Sequence, residues 1–227
     1  MTTGDSWTAA VRDRLAPGRL LPLGTAADGA WLAERAAREV LGRAASAVRG
    51  VVPGPLRVGA ADPEPEAAPE RPFPVPPGGL PAGPLRIDAE FAVVAAAGRS
   101  LPEAAGEVRA VLLAAAAGLG LAVTEADLRV TDLLDEAPAA RDVPPPPGRT
   151  SPAVDDPVAL AVLRVPGVAA VTDALGPPVH RAADAVRVEF AVTADRPAVE
   201  TARAARAAAT AAAPSGTAVT VLVTEVR

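Results

Sequence analysis

Apolar residues recur at every second position in two stretches of the chain. In the first, Ile87, Ala89, Phe91 and Val93 alternate with Asp88 and Glu90; in the second, Val186, Val188, Phe190 and Val192 alternate with Arg187 and Glu189. Successive side chains of a strand point to opposite faces, so each stretch predicts a strand with one apolar and one wet face. After Ser100 and again after Asp195 the spacing changes to that of a helix. The stripes are Ala105, Val108 and Leu112, then Val199, Ala202, Ala205 and Ala209, with Arg206 at the margin, where only its aliphatic stem packs. A further helical pattern covers residues 31–41, and residues 128–133 read as a closing strand.

Local signals set the helix boundaries. Ser100-Leu101-Pro102-Glu103 fits a capping box with an early proline, and Asp195-Arg196-Pro197 reads as its counterpart. Asp155-Asp156 before Pro157 reads as the cap of a short helix, while Gly118-Leu119-Gly120 reads as a helix stop rather than a dinucleotide loop.

These signals form one ordered set that occurs twice. Val48-Arg49-Gly50-Val51, Glu90-Phe91-Ala92-Val93 and Val130-Thr131-Asp132-Leu133 are followed by Val165-Pro166-Gly167-Val168, Glu189-Phe190-Ala191-Val192 and Val223-Thr224-Glu225-Val226. The paired landmarks lie 117, 99 and 93 residues apart, so the first copy carries 18 extra residues between its first two landmarks. The Pro-rich run 62–84 accounts for them, and it reads as an exposed, extended loop with Phe73 as its anchor. The fold class expected is α+β, as two tandem small modules, each a helix, a short antiparallel or mixed sheet and a long Ala-rich helix. Their bounds are 28–135 and 155–227, with an N-terminal helical segment at 1–27 and a Pro-rich linker at 136–154.

Composition narrows the chemistry. The 227 residues include no Lys, Cys, Asn, Gln or Tyr and a single histidine, which removes thiol nucleophiles, zinc-thiolate sites, Schiff-base lysines and multi-histidine metal centres. Half the residues are apolar but only 2% are aromatic, so the core is thin and two of the three phenylalanines, at equivalent places, carry an outsized share of it. A net charge of −5 argues against a dedicated nucleic-acid binder. The acid at Asp5 is unlike the basic start of a secretory signal, and the uncharged runs 110–124 and 207–224 are broken by glycine or proline, so neither reads as a membrane span. A cytoplasmic location, peripheral to the membrane, is expected.

Trp31-Leu32-Ala33-Glu34-Arg35-Ala36-Ala37, followed by Val48-Arg49-Gly50-Val51, resembles the opening of the alkaline shock protein family of envelope stress response proteins. The resemblance covers most of residues 28–134, and the second copy joins it from Val165 onward. Where that family commonly has Tyr-Gly after the central strand, this chain has Ala97-Gly98 in the first copy and no equivalent in the second. The resemblance implies small α+β domains without known catalytic residues. It also implies self-association and docking to a small membrane-anchored protein.

Few residues present candidate chemistry. His180, after Gly176-Pro177-Pro178, has no second His or Cys to join it and reads as a surface-loop residue. Asp132, Asp135 and Glu136 lack calcium-loop spacing and read as a solvated strand end. No catalytic, cofactor-binding or metal-binding residue is assigned, and no cofactor is expected. Trp7, Val11 and Leu15 share one helical face and are the candidate partner-docking residues, with packing on the first module as the plainer alternative.

The expected function is that of a non-enzymatic adaptor or scaffold that binds protein partners near the inner membrane surface. The alternative is a single-stranded nucleic-acid-binding module; Arg86, Arg129 and Arg187 would supply its charge, but stacking aromatics are nearly absent. An enzyme using carboxylates alone would need a deep pocket converging on two or more acids.

Overall fold

A computed structural model describes residues 18–62, 73–136, 138 and 152–227. The elements are β1 (Leu20–Pro22), β2 (Ala30–Ala33), α1 (Glu34–Ser46), β3 (Val51–Ala60), β4 (Leu85–Val94), α2 (Leu101–Leu119), β5 (Val123–Leu134), α3 (Pro157–Leu163), β6 (Val168–Val171), β7 (Val179–Arg181), β8 (Ala185–Val192), α4 (Ala198–Ala212) and β9 (Ala218–Val226). The fold is α+β, with these four helices and two sheets. A six-stranded sheet has the order β1-β2-β9-β8-β6 with β7 also on β8, and a three-stranded sheet has the order β3-β4-β5. None of the helices described is long and apolar enough to cross a membrane.

The two sheets share local geometry. β4 and β5 are parallel across α2, and β8 and β9 are parallel across α4, while β3 and β6 run antiparallel to β4 and β8. Each parallel ladder breaks register at the same place. Phe91 faces Val130 but Ala92 faces Asp132; Phe190 faces Val223 but Ala191 faces Glu225. The skipped residue is a threonine in both, Thr131 and Thr224, and its hydroxyl donates to the phenylalanine carbonyl at 3.4 Å in both. Gly50 and Gly167 both take positive φ at the turn into the first strand, and each carbonyl receives an amide from the end of the central strand, Val94 N at its last residue and Thr193 N one residue past it, at 2.8 Å.

One apolar core runs between the sheets and the helices. Ile87, Phe91 and Val93 of β4, Val108 and Leu112 of α2, Val188 and Phe190 of β8, and Ala202, Ala205 and Ala209 of α4 all belong to it. The caps at Ser100 and Asp156 form as expected. Ser100 and Glu103 make a reciprocal box, Asp156 accepts from the amides of Val158 and Ala159, and Gly120 ends α2 in the left-handed region.

Several expectations are corrected. Residues 31–33 are strand rather than helix, because Trp31, Leu32 and Ala33 are buried between β1 on one side and β9 on the other. A short, wholly apolar run suits a central strand as well as a helix, so periodicity alone does not separate the two. Residues 20–22, expected within a helical segment, form β1, a buried strand at the end of the sheet paired antiparallel with β2. The cap of α4 is Pro197, without a side-chain bond, while the Asp195 carboxylate accepts from the Thr193 hydroxyl, which lowers its pKa. His180 lies in the short strand β7 rather than in a loop. β5 begins at Val123, five residues before the expected start.

The largest correction concerns the second wet face. β4 alternates buried and half-buried positions as expected, but in β8 Glu189 is buried along with its apolar neighbours. Leu20, Trp31, Ala33 and Leu222 form a small cluster on that side, roofed by Phe73, Val75 and Leu175. Phe73 is an anchor as expected, with the Arg206 guanidinium 4.7 Å from its ring centroid. Trp31 Nε1 donates to the Leu80 carbonyl at 3.2 Å, so the described end of the 62–84 insertion is docked onto the sheet.

Candidate interaction surface

The three-stranded sheet keeps its outer face open. β3 is an edge strand, and its Pro53-Gly54-Pro55 segment bulges, so that the register passes from Pro53–Phe91 to Leu56–Ala89. Two prolines remove ladder donors there, which an edge tolerates, and the glycine lets the backbone lie against Glu90; an added Cβ would meet the Glu90 carbonyl oxygen at 3.0 Å. Beside the bulge the open face has a shallow depression of about 250 Å³, lined by Pro55, Arg57, Asp88, Glu90, Asp127 and Arg129 among others.

Its charges are mixed and loosely paired. Arg86 Nε lies 3.3 Å from Asp88 and 3.7 Å from Asp127, and Arg129 lies 3.5 Å from Glu90. The Arg129 and Asp127 side chains are 76% and 68% exposed, so these pairs contribute about 0–1 kcal/mol each. Three carboxylates do converge here, but on an open surface facing arginines rather than in a deep pocket.

The equivalent glutamate of the other sheet has the opposite surroundings. Glu189 accepts the Leu175 amide at 2.9 Å and Arg187 Nη2 at 3.4 Å beneath the 172–178 loop. Burial pushes its carboxyl up to about 7, against the opposing pull of the Leu175 amide and the Arg187 charge. The same Glu-Phe-Ala-Val therefore holds a solvated carboxylate in one sheet and a sealed one in the other.

A tether ties the first half of the chain to the last helix. Asp28 takes Arg203 Nε at 2.7 Å and Nη2 at 3.0 Å, and it also accepts the Thr25 amide at 2.7 Å and the Thr25 hydroxyl at 2.9 Å. The Arg203 guanidinium, helped by Thr25, holds the Asp28 carboxyl at about 2.

Trp7, Val11 and Leu15 lie outside the described residues. Asp132, Asp135 and Glu136 are exposed at the end of β5, and His180 is exposed on β7. Among the described residues no group of three or more His, Asp and Glu is placed to hold a metal ion. The structure brings Asp88, Glu90 and Arg129 together with Arg57 and Asp127, which sequence reasoning missed. The alternation of Glu125, Asp127 and Arg129 with Ala126, Leu128 and Val130 was the signal that would have found Asp127. Arg187, by contrast, belongs to the covered sheet. Comparison with protein-family models, curated proteins and solved structures finds no match to this chain.

Proposed function

We propose that the chain is a non-enzymatic adaptor made of two related α+β modules, 28–135 and 155–227, resembling the alkaline shock proteins, and that it binds protein partners near the inner membrane surface. The observation that carries the duplication is the repeated threonine bulge. A skipped Thr, its hydroxyl on a Phe carbonyl, and a glycine turn feeding the antiparallel strand recur together in both halves. Bulges are specific features of a strand pair, and three coincident details favour descent from one unit over chance.

The open face supports the adaptor reading. Its exposed ion pairs cost little to rearrange, so a partner carrying complementary charges can exchange with them and gain orientation and encounter rate. Affinity capture of the tagged chain from membrane and soluble extracts tests this, run beside an Arg57→Glu/Glu90→Arg variant. A partner retained by the parent and lost by the variant is the expected result, whereas recovery of the chain alone from both extracts overturns the reading. Salt-dependent binding of single-stranded RNA to the same face would instead favour the nucleic-acid alternative.

A further inference from the structure

Among the described residues, the edge of β5 that faces away from β4 pairs with nothing, although the strand is 12 residues long. The equivalent edge of β9 is closed by β2, with Ala30, Trp31 and Leu32 opposite Val221, Leu222 and Val223. An open edge presents a row of unused backbone donors and acceptors. Two apolar side chains at its C-terminal end are also left uncovered, Val130 at 36% and Leu133 at 59% exposure.

The phase of the ladder shows which residues serve that edge. The Leu85 amide donates to the Ala122 carbonyl, so with the register Ile87–Ala126, Ala89–Leu128 and Phe91–Val130 it is the alternate residues Glu125, Asp127 and Arg129 that bond to β4. Ala126, Leu128 and Val130 therefore turn their N–H and C=O groups outward. In agreement, the Ala126 carbonyl is taken by Arg109 Nη2 at 3.1 Å, reaching over from α2.

Reversed on itself about Leu128, β5 matches residue for residue. Leu128 meets Leu128, Ala126 meets Val130 and Val123 meets Leu133, so apolar faces apolar. Asp127 meets Arg129 twice, on the open face. The outward-facing residues fall at the hydrogen-bonded positions of such an antiparallel pair, and Asp127 and Arg129 fall at the closely spaced positions between them. We infer that β5 is a self-complementary edge through which two copies of the chain join about a two-fold axis at Leu128, merging two three-stranded sheets into one of six strands. The contact is isologous and closed, which gives a dimer rather than a fibre. It requires Arg109 to release the Ala126 carbonyl to the partner copy's Val130 amide. The inference stands apart from the adaptor reading.

Sedimentation and light-scattering mass across a concentration series, on the full chain, test it. The parent is expected at twice 22.6 kDa, and Arg129→Glu and Asp127→Arg, which each place like charges across the pair, at 22.6 kDa. The double variant Asp127→Arg/Arg129→Glu restores opposite charges and is expected to return to the doubled mass, which separates a broken interface from a broken fold. A parent that stays at 22.6 kDa up to its solubility limit overturns the inference. Single variants that remain dimeric, or a double variant that stays monomeric, overturn it equally.

Discussion

Glu189→Gln is expected to stabilise the protein above neutral pH, and the size of the gain follows from the site. The carboxyl is wholly buried, and its pKa rises from 4.5 to about 7 on folding. The shift is already net of the favourable Leu175 amide and Arg187 charge, so it measures what ionisation costs the folded state. Because the folded pKa is raised, the stability is fully present below about 4.5, where both states are protonated, and is lost as pH rises to about 7. At about 1.4 kcal/mol per unit, the loss amounts to about 3 kcal/mol. Glutamine keeps the shape and an oxygen to accept the Leu175 amide but has no charge to bury. Urea unfolding at pH 5 and pH 8 checks this. The parent is expected to lose stability between the two, while the variant changes little and is the more stable at pH 8. A variant with the parent's pH dependence, or one less stable than the parent at pH 8, would refute the reasoning and mean that the ionised pair with Arg187 outweighs its desolvation.

Other substitutions probe other links. Asp28→Asn removes the Arg203 tether, and because the folded pKa of about 2 lies below the ordinary 3.8, the expected loss of about 2 kcal/mol holds above pH 4 and fades as pH falls toward 2, which unfolding curves across acid pH will show. Thr224→Val leaves the buried Thr172 hydroxyl, 2.7 Å away, without its partner and should cost about 1–3 kcal/mol, whereas Thr131→Val at the exposed counterpart should cost under about 0.5 kcal/mol, both read by denaturant midpoints. Ser100→Ala removes the capping box of α2 and is expected to lower stability by about 1 kcal/mol in the same measurement.

What the sequence discloses depends on how local the cause is. The caps at Ser100 and Asp156 and the stop at Gly120 are set by residues within one helical turn, and they form as read. The alternation in β4 is legible because solvent covers one of its faces. The alternation in β8 misleads because its outer face is roofed by Phe73, Val75 and Leu175, two of which lie more than 100 residues earlier in the chain. Trp31-Leu32-Ala33 reads as a helix start because nothing local reveals strands on both sides of it. At the candidate surface, Asp88, Glu90 and Arg129 are legible as polar positions, while the depression is not, since its lining is drawn from three strands that only the fold brings side by side.

The asymmetry between the sheets has a single source. Two similar sheets share one set of covering segments, and the first half of the chain supplies the edge strand and part of the roof for the second. β2 closes the edge of β9, and Phe73 and Val75 together with Leu175 of the 172–178 loop close the face on the Glu189 side, leaving the edge of β5 and the face around Glu90 without equivalents among the described residues. The covered sheet gains burial and accepts a carboxylate that resists ionisation. The uncovered sheet keeps a solvated, mixed-charge face and a self-complementary edge, so selection for binding would act on the three-stranded sheet while the six-stranded one supports it. Exchanging the two Glu-Phe-Ala-Val environments would therefore be unequal: a charge reversal at Glu90 changes what the surface attracts, and the same reversal at Glu189 buries an unpaired cation against Arg187 and unfolds the sheet.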